Sequence, residues 1–205
     1  MTKLDDFKVV QDFYQKLSEK FPYVTADNWV KLQDISIVKY LEKDEIFLRQ
    51  GEVLNFGIFV VSGWLKVYYL DVKGNERISA FRNDLDYIDN WNAIHRQEPL
   101  PYSISAISPC IVILYPLEKM VKTFSKEPDL LQLCVDLSQE MIKMKQEHYE
   151  ILTLRSPKER YLHLLKSQKK WLMEVSLTDL AKYLHVSREA LSRARNLAAL
   201  KRFTL

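Results

Sequence analysis

Apolar residues change their rhythm twice along this chain. Leu4, Phe7, Val10, Phe13, Tyr14 and Leu17 fall three or four apart, the spacing of one helix face, and Phe21-Pro22 ends the run. A second helix is expected from Thr25 or Asp27 through Trp29, Leu32 and Ile35. From Ser36 the pattern shortens to strands: SIVKYL, EIFLRQG, FGIFVVSG, WLKVYYLD, ERISAFR, YSISAISP and CIVILYP. Their lengths and the turns between them predict an antiparallel sandwich or small barrel. Gly51 and Gly63 each follow a strand-like run, and Val72-Lys73-Gly74-Asn75 reads as a hairpin turn.

Helical spacing returns after Tyr115-Pro116. LEKMVKTFSKEP closes the sheet region, and from Pro128 to about Leu154 the chain runs without Gly or Pro. Leu130, Cys134, Leu137, Met141, Met144, His148 and Ile151 repeat at four and three over this stretch, a heptad seam. A chain can bury such a seam on its own sheet. Its length and period favour pairing with the same helix of a second copy, which makes Cys134 and His148 seam residues before anything else.

Ser156-Pro157 opens the next helix, with proline in the tolerated first turn. The run Lys166 to Lys170 reads as solvated, and Trp171-Leu172-Met173 as a small strand or as packing for the lobe that follows. Val175 to Ala198 then reads as two short helices around a tight corner. Ser176 caps the first, with Asp179 three residues on, and Leu177, Leu180, Ala181 and Leu184 form its buried stripe. Ser187 caps the second, whose stripe is Leu191, Ala194, Leu197 and Ala198. Arg188, Ser192, Arg193, Arg195 and Asn196 remain for its other faces. A capped pair with a polar, basic second helix is the pattern that reads a DNA major groove; a purely structural hairpin is the alternative.

Charge favours the first reading. Residues 155–205 hold 12 Lys/Arg against 4 Asp/Glu, and residues 1–154 hold 18 against 23, so the overall +3 hides a basic end. No apolar run reaches membrane-spanning length and the first ten residues lack a signal peptide's core, so a cytoplasmic protein without membrane contact is expected. Cys110 and Cys134 form no close pair, and no glycine-rich phosphate loop occurs. The least sheet-like stretch lies between Phe81 and Tyr102. It carries Asp84, Asp86, Asp89, Trp91, His95, Arg96 and Glu98, which suit either a solvated connection or one wall of a ligand pocket. One histidine among scattered carboxylates specifies no metal geometry.

In this order the parts resemble the cyclic-AMP receptor protein and fumarate-nitrate regulator (Crp-Fnr) superfamily of bacterial transcription factors. FLRQGEVLNFGIFVVSGWLKVYYLDVKGNE is similar to the family's cyclic-nucleotide-type roll, and VSREALSRA to its recognition-helix signature. The resemblance implies that Arg188, Glu189 and Arg193 face base edges, with Ser187, Ser192 and Thr178 near phosphates. It places effector-pocket candidates at Asp86, Asp89, Asn90, Tyr102 and Ser103. There the chain departs from relatives that bind cyclic AMP, which use a glycine-glutamate element and an arginine-serine pair. Without that arginine a buried cyclic phosphate lacks compensating charge, so cyclic-AMP sensing is not expected. After Leu197 only AALKRFTL follows, short for the usual wing.

The sequence therefore predicts an α+β chain in three parts. These are a β-roll effector domain over 1–127, a dimerisation helix over 128–154, and a helix-turn-helix lobe without a full wing over 155–205. The expected function is a homodimeric regulator binding palindromic double-stranded DNA, constitutive or answering a small-molecule effector, with RNA polymerase a further partner. No enzyme activity, metal or cofactor is called for. The alternative is a ligand-sensing or protein-interaction module with a vestigial helix-turn-helix.

Overall fold

The computed structural model describes residues 3–88, 96 and 98–200, and side chains over 6–88, 96 and 98–198. Two helices open the chain, α1 (Lys3–Lys20) and α2 (Ala26–Ile35). The strands are β1 (Ile37–Leu41), β2 (Ile46–Leu48), β3 (Phe56–Ser62), β4 (Leu65–Leu70), β5 (Glu76–Arg82), β6 (Tyr87–Ile88), β7 (Ser103–Ala106) and β8 (Cys110–Pro116). Helices α3 (Leu117–Phe124), α4 (Pro128–Thr153), α5 (Pro157–Ser167), α6 (Lys169–Glu174), α7 (Leu177–Tyr183) and α8 (Arg188–Leu200) complete it.

The strands form two four-stranded sheets, ordered β1-β8-β3-β6 and β2-β7-β4-β5. β8 pairs antiparallel with β1 on one side and β3 on the other. The expected antiparallel roll is present, with one strand more than the sequence showed. β6 lies inside the stretch after Phe81 and sets Ile88 opposite Ile58 and Tyr87 opposite Phe59. Two residues are too few to show a period.

The chain divides into two compact units. One comprises the described residues up to Val67 together with Phe81–Met141; the other comprises Tyr68–Ala80 and the described residues from Ile142 onward. This division cuts across the expected one. α4 enters the first unit as far as Met141, and the β4–β5 hairpin groups with the carboxy-terminal helices.

The first unit is held by an aromatic core. Phe59 meets Phe13, Tyr87 and Tyr115 at ring separations of 5.4, 4.6 and 5.9 Å. The Tyr14 and Tyr115 hydroxyls bond to each other at 2.6 Å, so neither is left unsatisfied in this apolar setting. A cavity of about 10 Å³ remains between Phe59, Tyr115, Met120 and Leu137, about the space of one water. Gly63 is required where β3 turns toward β4: its φ is +89°, and a Cβ there would lie 2.3 Å from the Pro109 carbonyl oxygen.

The same core engages part of the expected seam on α4 within the chain itself. Leu130 and Leu137 are buried within the first unit, with Cys134 and Met141 packed against them. On the adjoining side of α4, Lys20 pairs with Glu140 at 2.8 Å, Tyr23 donates to Asp136 at 2.5 Å and Asn28 donates to Asp129 at 2.6 Å. Further along, His148 and Ile151 are buried, and Met144 is half-buried. Side chains already out of water add little by meeting a second copy. The apolar residues α4 leaves exposed are Leu131, Val135, Ile142 and Tyr149, 47, 47, 55 and 72% accessible. They repeat at four, seven and seven, the expected seam shifted by one position.

Candidate nucleic-acid interface

In the second unit, α7 and α8 each begin on a serine cap. The Ser176 hydroxyl accepts from the Asp179 N–H at 3.0 Å and donates to the Asp179 carboxylate at 2.7 Å. Ser187 accepts from the Ala190 N–H at 3.1 Å, which starts α8 at Arg188. Ser156 and Glu159 form a full capping box at the start of α5, with Pro157 in the first turn. Between α7 and α8 the backbone turns sharply, with His185 at φ +53° and the Val186 N–H bonded to the Ala181 carbonyl at 3.0 Å. Trp171 lies on α6, not on a strand, and meets Tyr183 edge-on at 5.2 Å.

Burial divides α8 into two faces. Leu191, Ala194 and Ala198 are buried, whereas Leu197, expected in that stripe, is 51% exposed. At 100° per residue, Glu189, Ser192, Arg193 and Asn196 fall on the opposite side and Arg188 at its shoulder. Arg188, Glu189, Arg193 and Ser187 are exposed, Ser192 is half-buried, and Thr178 is exposed on α7. The Glu189 carboxyl is held below its usual range by its own backbone N–H, then by the Ser187 hydroxyl, with Arg188 and Arg193 adding their charge. At neutral pH this face carries two guanidiniums, one carboxylate and uncharged hydrogen-bonding groups. Lys201 and Arg202 lie outside the described residues.

Three residues hold the corner in place: Arg160 and Lys182, which pattern reading passed over, and His148, which it placed in the seam. Arg160 donates to three carbonyls, Leu154 at 3.1 Å, Leu152 at 2.9 Å and Leu184 at 2.8 Å. One guanidinium thus satisfies carbonyls at the ends of both α4 and α7. His148 stacks on Tyr183 at 3.9 Å with 12° between the planes, and its Nε2 lies 2.8 Å from the Tyr183 carbonyl oxygen. Lys182 pairs with Glu76 of the β4–β5 hairpin at 3.2 Å. Spacing along the chain shows none of this, since the partners lie far apart in sequence.

The effector candidates are less assembled. Asp86 precedes β6, and its carboxylate accepts from the Asn83 N–H at 2.8 Å. Burial raises its pKa against the opposing effect of that bond and of Arg82. Ser103, buried at the start of β7, accepts from the Gln50 N–H at 2.8 Å. Both oxygens thus serve backbone turns. Tyr102 is half-buried beside Ser103, and Asp89 and Asn90 lie outside the described residues. Among the described residues no cluster of His, Cys, Asp and Glu is arranged to hold a metal ion.

Residues 38–127 match the cyclic nucleotide-binding domain family. The anaerobic regulatory protein of Haemophilus influenzae is 25% identical, over 76% of this chain and 64% of its own, so the chain spans under two thirds of that curated relative. A protein from Eubacterium rectale assigned to the crp/fnr family of transcriptional regulators superposes with a TM-score of 0.69 at 17% identity, covering 88% of this chain and 86% of that one. In its roll the chain matches the cyclic nucleotide-binding domain family, and in fold it is similar to Crp-Fnr regulators. FixK2 from Bradyrhizobium japonicum also shares the fold, with a TM-score of 0.72 at 18% identity over 82% of this chain and 86% of its own. The family match covers the roll and α3 and stops one residue before α4. Among the described residues no helix is long and apolar enough to cross a membrane.

Proposed function

We propose that this chain is a cytoplasmic, homodimeric transcription regulator that reads double-stranded DNA with α8. The observation that carries the reading is the exposed polar face of α8, opposite its buried stripe and begun by a free-standing cap at Ser187. Arg188 and Arg193 suit guanine edges, Glu189 suits cytosine, and Ser187, Ser192 and Thr178 suit phosphates. Two copies paired along Leu131, Val135, Ile142 and Tyr149 would present two such helices to an inverted repeat. RNA polymerase is a partner in this reading, and an effector of the roll acts by favouring one dimer state. Cyclic AMP is not the expected effector, because Tyr102-Ser103 stands where relatives that bind it carry an arginine-serine pair.

Selection from a random duplex library with the purified chain tests this reading. Recovery of an inverted repeat, with Arg188→Ala and Arg193→Ala each losing about 1–3 kcal/mol of base discrimination and keeping the oligomeric state, supports it. Unchanged sequence preference in both variants removes the base-reading roles. No salt-sensitive DNA binding with or without metabolites would favour the ligand-sensing module with a vestigial lobe.

A further inference from the structure

We propose that the β4–β5 hairpin, His148 and His185 form a proton-gated latch on the turn between α7 and α8, closed while His185 is neutral and opened when it takes a proton. The inference is independent of what α8 reads.

The hairpin is a stiff piece. Asp71 accepts from the Lys73 and Asn75 backbone N–H groups, both at 2.9 Å, and from Arg77 Nε at 3.1 Å, while Gly74 supplies the turn at φ +77°. This tip fixes Glu76, whose carboxylate reaches Lys182 on α7, 3.2 Å away. A second tie runs through His148 on α4. A carbonyl can only accept, so its Nε2 carries a proton toward Tyr183, and a further backbone bond joins it to Ser79 of the hairpin. The ring thus lies between the hairpin and α7, and when neutral gives its one N–H to Tyr183.

His185 occupies the turn itself. Its ring meets His148 edge-on at 5.9 Å, and its Nε2 is buried with no hydrogen-bond partner. The charged groups around it are His148 on α4, Arg77 and Asp71 on the hairpin, and Arg160 on α5, of which only Asp71 is negative. A proton on His185 therefore meets desolvation first, then the neighbouring His148 ring whenever that ring is itself protonated, and the Arg77 and Arg160 guanidiniums, and its pKa falls to about 4. The backbone also holds this residue in the left-handed region, which any loosening would relax.

The sign follows directly. The closed turn binds fewer protons at His185 than an opened, solvated one with a pKa of about 6.5. Closure is at full strength above that value and weakens as pH falls toward 4. Between pH 7.5 and 5.5 the open-to-closed ratio should rise by up to about tenfold, less to the extent that solvent screens the half-buried ring.

Histidine-ring NMR and amide hydrogen exchange on the full chain between pH 8 and 5 test the latch. In the parent chain, exchange at 71–80 and 183–188, corrected for its intrinsic pH dependence, should rise severalfold to tenfold from pH 7.5 to 5.5. His185→Asn, uncharged and tolerant of the left-handed backbone, should abolish that rise. Glu76→Gln, which removes the partly exposed ion pair to Lys182, should raise exchange in both segments together at pH 7.5 and keep the pH response. A His185 ring that titrates near 6.5 while the turn stays protected overturns the proposal. So does an equal pH response in His185→Asn, or, should that variant not fold, a Glu76→Gln effect confined to the hairpin.

Discussion

The two units of this chain are held by different physics. In the first, Phe13, Phe59, Tyr115 and Leu137 exclude water and the buried hydroxyls of Tyr14 and Tyr115 satisfy each other. In the second, the corner between α7 and α8 depends on polar groups: Arg160 on three carbonyls, His148 on Tyr183, and Lys182 on Glu76. Apolar packing carries no charge of its own and so responds little to pH. Hydrogen-bonded ties are worth less each, yet a proton or a competing charge can switch them. The difference suits the units to different work, one a stable support and the other a joint whose setting responds to conditions.

The largest expected effect tests the packed side. Leu137→Ala removes a side chain 4% exposed and should lower the stability of the first unit by about 2–5 kcal/mol in chemical denaturation. Val135, two residues earlier on the same helix and 47% exposed, gives the contrast. Val135→Asp should leave folding of the single chain within about 0.5 kcal/mol and instead shift sedimentation toward monomer. If Leu137→Ala breaks the oligomer with folding intact and Val135→Asp does nothing, the one-position shift of the seam is wrong.

A smaller effect is expected on the polar side. Arg160→Ala strips the charged donor from three carbonyls, which should cost about 2–3 kcal/mol in the second unit and leave the first unchanged. Hydrogen exchange resolved by segment would separate the two. Arg160→Lys should restore little, because one ammonium cannot span the ends of α4 and α7 as a planar guanidinium does. Full rescue by lysine would mean that charge alone matters and that the three-way geometry is incidental.

The same contrast explains what the sequence revealed. Strand alternation and helical spacing exposed the roll, the long helix and both capped helices because each is written in neighbouring residues. The proposed seam lies one position from the expected one because Leu130–Ile151 and Leu131–Tyr149 both carry a seven-residue period, and only the fold decides which row is buried within the chain. Leu197 fell outside its expected stripe for a similar reason: Leu191, Ala194 and Ala198 already complete that face. Arg160, His148 and His185 were hidden more deeply. Their partners are backbone carbonyls and a hairpin up to 114 residues away in sequence, from Arg160 and His148 toward Leu184, Tyr183 and Ser79 and from His185 toward Asp71. The effector candidates mixed two kinds of information. The resemblance pointed to Asp86 and Ser103, and the backbone had already engaged their oxygens.

Ser187 is where the smallest effect tells the most. Its hydroxyl caps α8 at 3.1 Å from the Ala190 N–H, and in the proposed reading it also faces a DNA phosphate. Ser187→Ala should lower stability by about 1 kcal/mol through the lost cap, and should weaken DNA binding as well. That variant alone cannot separate the two roles. Ser187→Asp can, because aspartate caps a helix as well as serine does while placing a negative charge against the phosphate backbone. The expected outcome is parent-like thermal stability with markedly weaker DNA affinity. Equal losses of stability in both variants would show that the cap requires the hydroxyl's own geometry. Parent-like affinity for Ser187→Asp would instead place the phosphates away from the start of α8, and the contact would then have to lie along the Glu189, Ser192 and Arg193 face alone.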